Sequence, residues 1–111
     1  MFTHVIDEHC IIKKTTAIDP IDGNTLVGRF IGDILSLSDY AAWYHHFCHC
    51  IKTHQVQWVT YYINNHRFIG LMCRHPCGVA VYEMECTKDM DMIEIQRRLN
   101  LAVQNQKMRS G

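Results

Sequence analysis

The chain has 111 residues, 48% of them apolar, which is enough for one core and leaves no room for a second domain. Eleven Lys and Arg balance eleven Asp and Glu, so a basic nucleic-acid-binding surface is disfavoured. The N-terminus lacks the basic lead and apolar segment of a signal peptide, and no apolar run approaches membrane-spanning length; the expectation is a cytoplasmic, membrane-free protein with reduced thiols.

The first strand is expected over His9 to Ile18, preceded by a few extended residues at Thr3 to Ile6. It ends at Asp19-Pro20-Ile21-Asp22-Gly23-Asn24, where the residue types favour a chain reversal. A second strand, Thr25 to Ile31, completes an N-terminal hairpin. Ser36-Leu37-Ser38-Asp39 then carries a helix-starting signature, a serine oxygen for the free N–H groups and an acid in the first turn. The predicted helix runs from about Ser38 to Thr53. Its expected apolar stripe is Leu37, Tyr40, Ala41, Tyr44, Phe47, Cys48 and Ile51, with His45 and His49 on the solvated side.

Three strands follow. Val56 to Ile63 is β-branched and aromatic, and Asn64-Asn65 makes a two-residue turn because Asn tolerates positive φ. His66 to Cys73 returns, and after the loop Arg74 to Gly78 the strand Val79 to Cys86 closes a meander. Glu83 and Glu85, two apart on one strand face, read as solvated. A second helix starts near Asp91, with a buried stripe of Met92, Ile95, Leu99, Ala102 and Val103 and a frayed tail at 106–111.

The element order β-β-α-β-β-β-α implies a single α+β domain with a five-stranded antiparallel sheet and two helices. This layout resembles that of the profilin-like group, which includes longin and roadblock adaptors, and more loosely that of PAS sensor domains. Function does not follow from a shared layout.

WYHHFCHC, residues 43–50, raises the question of a metal. Placing it on a helix separates its ligands onto different faces. Cys50 and His54 at the helix end, with Cys73 and Cys77 at the next hairpin, supply the donors of a tetrahedral Cys₃His zinc site. Zinc is the one cofactor the residues suggest. No glycine-rich elbow accompanies the Cys and His pairs, and Gly28 to Gly32 lacks a phosphate-loop ending, so no enzyme activity is expected.

Trp58, Thr60 and Tyr62 share one face of their strand and Val59, Tyr61 and Ile63 the other. Aromatic surplus on both faces requires a helix on each side or a protein partner. The leading expectation is therefore a non-enzymatic protein-binding module, a homodimeric adaptor or inhibitor. Trp58, Tyr62 and the outward Arg97 and Arg98 are its candidate contacts. A zinc-stabilised domain is the first alternative. A PAS-like small-ligand sensor is the second; it requires an interior cavity, against which the crowding of Tyr, Trp and Met argues.

Overall fold

The computed structural model describes residues 1–17, 23–87 and 89–110, with 106–110 given by backbone alone. Strands β1 (Phe2–Asp7), β2 (Ile12–Thr15), β3 (Gln57–Ile63), β4 (His66–His75) and β5 (Gly78–Glu85) form one sheet in the order β2-β1-β5-β4-β3. Every neighbouring pair is antiparallel. Helices α1 (Ile31–Ile34) and α2 (Leu37–Thr53) carry the chain from the β2 edge to the β3 edge, and α3 (Met92–Ser110) follows β5. The α+β class and the five-stranded antiparallel sheet are thus as expected, with the four-residue α1 as an addition. Among the described residues no helix is long and apolar enough to cross a membrane.

The N-terminal hairpin differs from the expected one. It joins Phe2–Asp7 to Ile12–Thr15, and its turn is built by Asp7 and Cys10, without Gly or Pro. The Asp7 carboxylate accepts the N–H groups of His9 at 2.9 Å and Ile11 at 3.0 Å, while Cys10 takes φ 62°. Burial alone would raise the Asp7 pKa, but the Ile11 and His9 N–H groups, and Lys13 beside them, hold it below the usual value. Thr25 to Ile31 is not a strand; Phe30 forms an isolated bridge to Ile11, and Ile31 then opens α1. The expected loop at 19–24 falls largely on 18–22, outside the described residues.

The β3–β4 hairpin closes at Asn64-Asn65, both at positive φ, with Ile63 opposite His66 as expected. Ser36 caps α2 by accepting the Asp39 N–H. The buried face of α2, however, is Trp43, Phe47 and Cys50, while Leu37 is 86% exposed and Tyr44 and Cys48 are also exposed. Aromatic and Cys side chains surround more than half of this helix, so two stripes about 100° apart satisfy the same three-four spacing. The stripe containing the larger Trp43 is the one buried.

The sheet is covered on both faces. One side packs Ile6, Ile12, Val59, Met72, Val79 and Val81 beneath α1 and α2. The other packs Ile69, Leu71, Cys73, Ala80 and Tyr82 against the α3 stripe Ile95, Leu99 and Val103. At the start of α3, the Asp91 carboxylate accepts the Ile93 N–H at 3.0 Å. A helix on each side therefore accounts for Tyr61 on one face of β3 and Trp58 on the other, while Tyr62 stays exposed.

Candidate functional site

Among the described residues the packing beneath α1 and the N-terminal half of α2 is incomplete, and a cavity of about 450 Å³ opens there. The expectation of filled space does not hold at this end of the core. Ile6, Ile12 and Val81 floor the cavity from the sheet; Ile31, Ile34 and Trp43 enclose it from the helices. Its volume lies within the range of small-molecule sites, and such sites combine apolar walls with a few fixed polar groups.

Those polar groups form a chain across the sheet. Thr15 on β2 pairs with His4 on β1, and their side chains meet, Oγ1 to Nδ1, at 2.7 Å. His4 Nε2 lies 3.2 Å from Glu83 Oε1 on β5 and donates to it, and Tyr61 on β3 donates its hydroxyl to Glu83 Oε2. With Nε2 given to the carboxylate, the other ring nitrogen, Nδ1, is held by the Thr15 hydroxyl. His4, Glu83 and Tyr61 are all buried, and His4, Tyr61 and Glu83 line the cavity. The reading of Glu83 as solvated is thus corrected: it is 5% exposed. A carboxylate removed from water is tolerated because both of its oxygens accept a hydrogen bond. Burial first, then the Glu83 charge and the hydrogen bond to it, push the Tyr61 hydroxyl well above its ordinary pKa.

Two backbone devices make this chain possible. Val5 pairs with Lys14 but Ile6 pairs with Ile12, so β2 contains a bulge at Lys13. In a regular strand Ile12 and Thr15, three apart, would point to opposite faces; the bulge turns both toward the cavity. The second device is Gly70. It lies between Val59 and Glu83 on neighbouring strands, and a Cβ there would sit 3.1 Å from the Tyr61 hydroxyl and 3.2 Å from Val81 Cγ1. The missing side chain leaves the passage through which Tyr61 crosses β4 to reach Glu83.

At the rim, Glu85 and His66 pair at 2.6 Å with both side chains well exposed, and Asn64 of the β3–β4 turn stands beside them. Glu83 and Glu85 alternate with Met84 on β5, so both carboxylates face the cavity side. The arrangement offers acceptors fixed in an apolar enclosure. Thr15 Oγ1 also accepts the Ala17 N–H at 3.0 Å, so the hydroxyl is committed to backbone and imidazole.

The residues expected to bind zinc are not gathered together. Cys50 is fully buried on the α2 side, and burial pushes its thiol pKa up, against a smaller lowering by Arg74. Cys73 points to the opposite face, into the α3 cluster, because it follows Met72 by one residue on β4. His54 is the exposed C-cap of α2 at φ 63°, and Cys77 is exposed in the β4–β5 turn, its N–H donating to His75. Among the described residues no group of three His, Cys, Asp or Glu is placed to hold a metal ion.

Of the expected protein contacts, Trp58 is half-buried against the α3-side cluster and Tyr62 is 54% exposed. Arg97 and Arg98 both bind Glu94, at distances of 2.6 to 3.1 Å, on the exposed side of α3. Sequence reasoning missed His4, Thr15, Tyr61 and Glu83 as a set. A signal existed in Glu83 alone, an acid amid Val79, Val81 and Tyr82, but its partners lie up to 79 residues away in the chain. No protein-family model matches the chain, and no curated protein matches it in sequence.

Proposed function

We propose that this chain is a small-molecule-binding domain whose ligand sits between the sheet and helices α1 and α2, in the manner of a PAS-like sensor. The observation carrying this reading is the 450 Å³ apolar cavity with the His4–Glu83–Tyr61 chain built into its wall. A binding role without catalysis fits residues that already satisfy one another. The test is a fragment screen followed by backbone amide NMR. Ligands should shift signals of Ile6, Leu35 and Val81 and leave Leu99 beneath α3 unmoved. Shifts confined to other surfaces, or none across a set of apolar fragments, would remove the reading.

A second reading, the homodimeric adaptor or inhibitor, draws support from exposed apolar side chains: Leu37 on α2, Tyr62 on β3, and Ile93, 75% exposed, on α3. Native mass spectrometry separates the two, since one spectrum reports both subunit number and bound small molecules. A strict monomer across micromolar concentrations would count against the dimer.

A further inference from the structure

Resting on the ligand-binding reading above, we infer that the cavity selects a neutral or cationic apolar molecule with a hydrogen-bond donor, an aromatic or aliphatic amine being the best fit, and rejects carboxylates and phosphates. The argument begins with the charges that face the space. Glu83 lies in the wall and Glu85 at the rim, two carboxylates on one strand face, and among the described residues no Lys or Arg lines the cavity.

Among the described residues the other lining residues with polar side-chain groups are His4, His66, Asn64, Tyr61, whose hydroxyl is given to Glu83, and Trp43, whose indole N–H is a single neutral donor. His4 already turns Nε2 to Glu83, and His66 turns Nδ1 to Glu85. Each imidazole therefore has one ring nitrogen already engaged with a carboxylate. Each carboxylate oxygen has a second lone pair, so Glu83 can accept from a ligand while keeping Tyr61 and His4. An ammonium or hydroxyl entering beside Ile6 and Val81 would find that acceptor in a low-dielectric setting, where opposite charges attract strongly and like charges repel as strongly. An anionic head group would meet two carboxylates and, among the described lining residues, no Lys or Arg. The apolar body is accommodated by the Ile and Trp walls.

The experiment uses three probes that share one ring system: 2-naphthylmethylamine, 2-naphthalenemethanol and 2-naphthoate. Each is titrated into the intact chain near neutral pH by calorimetry and followed in parallel by amide NMR. The amine should bind at least about tenfold more tightly than the carboxylate, with the alcohol between them, and the amine and alcohol should shift signals around Ile6 and Val81. Carboxylate binding equal to or tighter than amine binding, with those same signals moving, overturns the inference while the ligand-binding reading stands. Absence of binding by all three overturns both.

Glu83→Gln and Glu85→Gln supply the second arm. Each should narrow the amine-to-carboxylate ratio, and Glu85→Gln changes only an exposed side chain, so it remains informative if the buried replacement compromises folding. A ratio unaltered in Glu85→Gln, together with an unaltered ratio in any folded Glu83→Gln, sinks the assignment of selectivity to these carboxylates.

Discussion

Tyr61, Gly70 and Glu83 act as one unit, and substitution should expose the dependence. Tyr61→Phe removes the donor to a buried carboxylate oxygen, which is expected to cost about 1–3 kcal/mol of stability in urea unfolding. Gly70→Ala forces a methyl group against the Tyr61 hydroxyl and Val81, at an expected cost of a similar size. In the double variant the hydroxyl that the methyl crowds is gone. The combined loss should therefore fall short of the two single losses by about 0.5 kcal/mol or more, and strict additivity would show that Gly70 does not serve this passage. Beyond the placing of an acid amid Val79, Val81 and Tyr82, none of this was legible in the sequence. An acid two residues from Glu85 reads as solvated; the pairing of β1 with β5, set by contacts distant in sequence, makes β5 a central strand and brings His4 to Glu83.

Local elements were legible where their signals are local. Asn64-Asn65 specified a hairpin and its register, and Ser36 with Asp39 specified the start of α2. The first hairpin was misread because its turn uses Asp7 and Cys10, whereas Asp19 to Asn24 holds the residue types of a turn. The α2 C-terminus carries a testable consequence. His54 adopts φ 63°, a left-handed conformation that glycine takes without strain, so His54→Gly should raise stability by about 0.5–1 kcal/mol. Were His54 a ligand of a stabilising zinc ion, the same change would lower the melting temperature of metal-loaded protein and show its stabilising effect only after chelation. On α3, the hydrogen bonds from Arg97 and then Arg98 hold the Glu94 carboxyl at about 2, below its ordinary 4.5. A depressed folded-state value means that the contribution is present above about 4.5 and is lost as pH falls toward about 2. Both partners are exposed, so the effect is small. The melting temperature of the native chain should slightly exceed that of Glu94→Gln at neutral pH, and the two should converge over that acid range.

At the scale of the whole molecule, the sheet is asymmetric in how its two faces are filled. Ile95, Leu99 and Val103 of α3 cover β4 and β5 on the far face, because their four-residue spacing lays one continuous apolar ridge there. The near face is covered by a four-residue α1 and by α2, whose buried residues begin only at Trp43, and the space under the junction stays open. Composition could not reveal this, since it does not say where large side chains stand; among the described residues the open space lies where α1 and α2 meet the sheet. Emptiness in a core carries a stability cost that rises with its volume. Ile34→Phe places a larger side chain from α1 into the cavity. If the space is kept for a ligand, this change should hold or raise stability by up to about 1–2 kcal/mol in the free protein, while weakening naphthylmethylamine binding at least about tenfold. Thermal unfolding with and without the amine reads both quantities. The native chain should gain about 2.7 kcal/mol at a ligand concentration one hundred times Kd, and Ile34→Phe should gain far less at that same concentration. A variant that is stabilised yet binds the amine as tightly as the native chain would place the ligand outside this cavity.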